Sequence, residues 1–215
     1  MEFSQIQLNE KLLANIKNYT NDSFEGFNSI QIDIIKSEQE NKNLMIISSA
    51  GTGKTFACVV SVLNNIEKYT GSQIIILEPN IGHLHQVYNM VLELGKDIPV
   101  HVFKYCVGVD TNDFVNQITN TLGSIQIVVS SPSKFSQILH KESKLFTNIT
   151  KLFIDECEES IQKYPEDTFN LINEIKINSE NNICIMSPVL YKENNEKLTE
   201  MLDDVIIIRQ YNKIF

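Results

Sequence analysis

The sequence predicts an α/β fold: a mostly parallel sheet of about seven strands with helices packed on both faces. Three observations carry that expectation. Short apolar runs rich in isoleucine and valine recur from residue 44 onward. Amphipathic stretches of helical period separate them. Several runs are apolar at consecutive positions, as strands buried on both faces require. The 215 residues, 42% of them hydrophobic, suffice for one domain with a full-sized core. No linker, repeat or low-complexity tract divides residues 1–215, so a single domain is expected.

Two helical stretches, about 8–19 and 28–38, come first. The expected strands follow at 44–48, 74–78, 100–103, 126–130, 151–155, 183–187 and 205–209. Helical patterns lie between them at about 54–69, 81–95, 112–121, 133–140, 166–177 and 192–202. Parallel α/β sheets gather ligands at the carboxyl ends of their strands. The residues to read are therefore Ser48 onward, Glu78-Pro79-Asn80, Ser130-Ser131-Pro132, Asp155-Glu156 and Ser187-Pro188.

The segment Ser48 to Thr55 is the most telling of these. Strand, glycine loop, Lys-Thr and helix form an arrangement that holds the phosphate tail of a nucleoside triphosphate. Gly51 and Gly53 let the N–H groups of the Ser49, Ala50, Gly51, Thr52, Gly53 loop turn inward. The new helix points its positive end at the anion. Lys54 is expected to neutralise the outer phosphates, and the Thr55 hydroxyl to ligate Mg²⁺. Ser48 stands where the general pattern has its first glycine. At the tip of the 151–155 run, Asp155 is placed to reach the same Mg²⁺ shell, partly through water. Glu156 is expected to orient or deprotonate the water that attacks the γ-phosphate. Glu158 and Glu159 read as solvated first-turn charges.

Bulk charge narrows the partners. Net charge is −9, and Arg209 is the single arginine among 18 basic residues. A large free-standing nucleic-acid surface is normally basic, so at most a small one is expected. Cys58, Cys106, Cys157 and Cys184 are far apart, and all but Cys106 lie in or beside apolar runs. Buried free thiols in a reducing compartment follow. His83 and His85 have no further histidine or cysteine nearby and read as ordinary surface or groove residues. No signal segment and no run of 18 apolar residues occurs, which predicts no membrane partner and a cytoplasmic or nuclear location.

From about Phe3 to Arg209 the chain resembles the first RecA-like domain of a DEAD-box RNA helicase. Phe3 precedes a Leu8-to-Leu13 helix, and Ser23 to Gln31 resembles the Gly-Phe-x-x-Pro-x-x-Ile-Gln signature, with Phe27 in place of proline. The likeness implies that residues 1–40 read adenine, with Gln31 bonding its edge and Phe3 stacking on its face. Ser48 to Thr55 is similar to the helicase form of the phosphate loop, and Asp155-Glu156-Cys157-Glu158 stands where that family has Asp-Glu-Ala-Asp. By the same likeness Glu158 engages the motif near Ser187 and couples nucleotide state to it.

Departures fall on the segments that hold RNA in that family. Pro79-Asn80-Ile81-Gly82-His83 represents Pro-Thr-Arg-Glu-Leu, so the arginine and glutamate are gone. Ser131-Pro132-Ser133-Lys134 represents Thr-Pro-Gly-Arg, and Gly108-Val109 represents Gly-Gly. Ser187-Pro188-Val189 represents Ser-Ala-Thr. Replacing arginine by isoleucine removes a charge-assisted phosphate contact worth roughly 1.5–3 kcal/mol. What is left is weak, sequence-independent capture around Asn80, Gly108, Ser131 and Lys134.

The resemblance implies an ATP- and Mg²⁺-using RNA helicase core, closest in wording to the Gemin-type and translation-initiation branches. It also implies a second RecA-like domain, absent from these residues, to supply arginine fingers. Activity without it is expected to be slow. The competing expectation is a non-catalytic helicase-like scaffold that binds protein partners in ribonucleoprotein assembly or small-RNA pathways. A small kinase is disfavoured by the glutamine element, the Asp-Glu motif and the order of motifs.

Overall fold

The computed structural model describes residues 6–40, 42–176 and 182–210. Its centre is a seven-stranded sheet in the order β3-β4-β2-β5-β6-β1-β7. The strands are β1 (Asn43–Ser48), β2 (Gln73–Leu77), β3 (His101–Tyr105), β4 (Gln126–Ser130), β5 (Ile149–Ile154), β6 (Asn182–Ser187) and β7 (Val205–Gln210). Every pairing is parallel. Consecutive apolar residues in β2, β4 and β6 are buried throughout, because helices cover both faces.

The helices divide cleanly between the two faces. α1 (Glu10–Tyr19), α2 (Ser29–Glu38), α3 (Lys54–Asn64) and α4 (Ile81–Leu94) pack on one core with Ile46, Ile76 and Phe153. α5 (Thr111–Asn120), α6 (Pro132–Lys141), α7 (Cys157–Lys163), α8 (Pro165–Lys176) and α9 (Lys192–Met201) pack on the other with Ile75, Leu77 and Ile154. Local chemistry starts several of them. Asn80, Asp110 and Ser131 each cap a following helix through the side chain, and Pro132 occupies the first turn of α6.

The expected elements are present within a few residues of their anticipated bounds. Two differ in kind. The 54–69 helix stops at Asn64, and Ile66–Tyr69 forms a separate 3₁₀ turn. There the Asn65 side chain donates back to the Ser61 carbonyl at 3.0 Å, competing with helix continuation. α7 was not anticipated as a helix, since its seven residues are too few to show a period. Its Glu158 is only 6% exposed, which corrects the expectation of a solvated charge. Glu159 does face outward, paired with Lys163 at 2.5 Å. All four cysteines are free and buried, Cys106 included. Among the described residues no helix is long and apolar enough to cross a membrane.

Candidate functional site

β1 and β5 flank β6, so their carboxyl ends lie roughly 10 Å apart at about 4.8 Å per strand. The loop after β1 closes that gap. Gly51 and Gly53 have φ of 76° and 79°, left-handed values that cost a side-chain-bearing residue about 1–2 kcal/mol. Gly53 is also the N-cap of α3, and no side chain caps that end. Its first-turn N–H groups thus lack a side-chain acceptor and suit an anion. Inside the loop the Ser48 hydroxyl contacts the Thr52 hydroxyl at 3.0 Å, and Thr52 donates to the Ser49 carbonyl at 3.0 Å.

Lys54 is buried beneath this loop, where its ammonium donates to the carbonyls of Ser48 at 2.8 Å and Ser49 at 3.1 Å. Burial lowers its pKa, opposed by the carboxylates of Asp155 and Glu156. In the first turn of α3 the Thr55 hydroxyl meets Asp155 Oδ2. Asp155 Oδ1 accepts the N–H of Glu156 at 2.9 Å. Glu156 itself adopts a left-handed conformation, φ 44° and ψ 48°, at the turn from β5 into α7. That strained turn aims two adjacent carboxylates out of the strand tip. Burial, then Asp155, raises the Glu156 pKa, with Lys54 and His83 opposing. Lysine, hydroxyl and carboxylates expected to act together are therefore brought together.

The segment expected to read adenine lies against the same loop. Asn28 and Gln31 form a reciprocal capping box at the start of α2, with Gln31 Oε1 accepting the Asn28 N–H at 3.0 Å. Asn28 Nδ2 donates to the Thr52 carbonyl at 3.1 Å. A Cβ added at Gly53 would collide with the Gln31 carboxamide. Beside them opens a cavity of about 430 Å³ lined by Tyr19, Phe24, Gln31, Gly53, Phe56 and Met90 among others. The sequence reading missed Asn28, Tyr19, Phe24 and Phe56. Only the capping-box spacing of Asn28 and Gln31 was visible in advance. Phe3 lies outside the described residues.

The more remote expectations fare unevenly. Asn80 spends its side-chain oxygen on the N–H groups of Gly82 at 2.8 Å and His83 at 3.3 Å. Ser131 accepts from the Lys134 N–H at 3.4 Å, and Lys134 Nζ reaches Gln137 at 3.5 Å. Gly108, at φ 88°, sits in a turn with open space around it. These residues follow three separate strands, β2, β3 and β4, along one edge of the site. Glu158 does not bond the Ser187 hydroxyl. It accepts from the Tyr191 N–H at 3.2 Å and the Asn194 amide at 2.8 Å, while Ser187 turns to the Val189 carbonyl at 2.5 Å. The longer glutamate reaches past Ser187 to the start of α9.

One carboxyl went unremarked. Glu78, just after β2, is 1% exposed; no N–H or O–H group donates to either of its side-chain oxygens, and it faces the Asp155 carboxyl. Burial, then the neighbouring Asp155, pushes its pKa well above the ordinary carboxyl value. The oxygen donors of Thr55, Asp155 and this orphaned carboxyl are the hard ligands that Mg²⁺ takes. The residues present fit such an ion.

Comparison with known proteins shows the family. The family model for the DEAD/DEAH box helicase matches residues 28–198. An ATP-dependent RNA helicase eIF4A of Candida glabrata is 30% identical over 166 residues, covering 74% of this chain and 39% of that protein. An ATP-dependent RNA helicase DBP3 of Vanderwaltozyma polyspora is 24% identical over 184 residues, or 82% of this chain and 33% of that one. The chain thus spans about a third to a half of the curated relatives it matches. Among solved structures, a DEAD box protein from Methanococcus jannaschii superimposes with a TM-score of 0.82 at 22% identity, covering all of this chain and 56% of that one. S. cerevisiae Dbp5 bound to RNA and ADP BeF3 gives 0.78 at 17% identity, covering 97% and 52%. With a seven-stranded parallel sheet of the RecA-like kind and a family match over most of its length, the chain belongs to the DEAD/DEAH box helicase family.

Proposed function

We propose that this chain is the ATP-binding N-terminal core domain of an RNA-dependent ATPase. The observation that carries the reading is the convergence of Lys54, Thr55 and Asp155 under a left-handed glycine loop, with Gln31 lying over Gly53. The loop amides and Lys54 would hold the phosphates, and the 430 Å³ cavity beside Gln31 would take the base. Thr55 and Asp155 would hold Mg²⁺, which when bound neutralises phosphate charge. Glu156 is positioned to orient a water and accept its proton.

RNA contacts are proposed to be weak and confined to the edge formed by Asn80, Gly108, Ser131 and Lys134. Support comes from the RNA-bound Dbp5 structure with the same fold and from the helix starts at Asn80 and Ser131. A second RecA-like domain, in cis, would complete the site with the charge this half lacks. ATPase turnover of these 215 residues is therefore expected near background with or without RNA. Robust RNA-stimulated turnover would contradict that assignment.

A scaffold reading has its own supporting observation. Ile81 at the start of α4, Val107 after β3, and Val189 and Tyr191 after β6 are exposed by 51%, 79%, 48% and 59%. Apolar side chains there suit a protein partner of a ribonucleoprotein complex better than RNA phosphates. Undetectable binding at millimolar MgATP would favour the scaffold over the ATPase.

A further inference from the structure

Buried carboxylates are costly unless something compensates them. Most of those described here have a partner. Glu38 pairs with Lys151 at 2.5 Å, Glu158 binds Tyr191 and Asn194, and Asp155 binds Thr55 and the Glu156 N–H. Glu78 is the exception among the described residues: at 1% exposure no N–H or O–H group donates to either oxygen, and the side chain it faces is the Asp155 carboxyl.

Register fixes where that carboxyl points. Leu77 pairs with Ile154, and the Asp155 N–H donates to the Leu77 carbonyl at 3.0 Å, so Glu78 and Asp155 lie side by side at adjacent strand tips. Leu77 and Ile154 face the α5–α9 core, whereas Ile76 and Phe153 face the α1–α4 core. Strand alternation then turns Glu78 and Asp155 together toward α3, where Thr55 descends.

We propose that Glu78 is a second carboxylate of the divalent-cation site formed with Asp155 and Thr55, so that this protein takes up a divalent cation in the absence of nucleotide. The inference rests on the cation role given above to Thr55 and Asp155. Mg²⁺ is commonly held by one or two carboxylates together with substrate phosphates, and a second carboxylate adds charge and another oxygen donor. No group of three or more His, Cys, Asp or Glu is arranged for a metal among the described residues. The proposed site is two carboxylates and a hydroxyl.

Mn²⁺ alone is the probe. Titration calorimetry and Mn²⁺ electron paramagnetic resonance on the full chain, without nucleotide, are expected to show a bound ion. Glu78→Gln and Glu78→Ala should each weaken it about ten-fold or more, and Asp155→Asn should do the same. A role in packing alone would leave Mn²⁺ affinity unmoved. Wild-type protein that takes up Mn²⁺ only with ATP overturns the proposal, as does unchanged affinity in either folded Glu78 variant. ATP binding measured in parallel separates the two readings. Intact MgATP binding with no nucleotide-free Mn²⁺ site overturns the role of Glu78 alone. Loss of MgATP binding in the wild type overturns the nucleotide site beneath it.

Discussion

The hydroxyl of Thr55 meets the carboxylate of Asp155 across 100 residues of sequence. Asp155 follows β5, and Thr55 lies in the first turn of α3, which the 49–53 loop carries from the end of β1 across β6. The proposed phosphate site therefore depends on one short loop holding an unusual backbone path.

Gly53→Ala tests that dependence. A Cβ there meets the Gln31 carboxamide, and φ 79° is strained for alanine. A loss of roughly 1–3 kcal/mol in folding stability is expected, together with weaker nucleotide binding. Urea unfolding and nucleotide titration read the two effects. An unchanged variant would mean that Gln31 and the loop do not press on one another.

Gln31→Ala removes the side chain that touches both Asn28 and the loop. Discrimination between ATP and GTP should fall, and one capping-box bond should be lost at a cost of about 1 kcal/mol. Competition titrations with the two nucleotides measure the first effect. Equal preference before and after the change would place base recognition elsewhere.

At the opposite end of the sheet, Lys151 and Glu38 form an ion pair with side chains 3% and 2% exposed. Lys151→Met strands a buried carboxylate and should cost about 3–5 kcal/mol. The double variant Glu38→Leu/Lys151→Met should recover most of that loss. Denaturant midpoints decide it, and a double variant no better than the single one would contradict the pairing.

Much of this was legible beforehand, and the reason lies in which signals are local. The central strands announced themselves because a sheet covered on both faces demands unbroken apolar runs such as Ile74-Ile75-Ile76-Leu77. Gly51, Gly53, Lys54 and Thr55 were readable because loop chemistry fixes their spacing. Glu78 was not, since its meaning depends on β2 lying beside β5, a neighbourhood set by strand order. Glu158 was misread for the same reason: its partners, Tyr191 and Asn194, lie more than 30 residues away. Tyr19 and Phe56 line the cavity only because α1 and α3 pack on the same face.

Glu78 also makes stability depend on pH. Its folded pKa is raised, so the folded state holds a proton more tightly than the unfolded chain. The associated stabilisation is complete below the ordinary carboxyl value and is lost as pH climbs toward the raised one. With a chelator present, the melting temperature of the wild type should fall across that window. Glu78→Gln should flatten the slope, and an identical slope in the variant would contradict the assignment.

Titration of MgATP into the wild-type chain and into Lys54→Ala tests the central claim most directly. Lys54 is the buried cation of the loop, held by the Ser48 and Ser49 carbonyls. Saturable one-to-one heat in the wild type, abolished in a Lys54→Ala variant that still unfolds cooperatively, is the result predicted. Equal heats in the two proteins, or none in either at millimolar nucleotide, would contradict it.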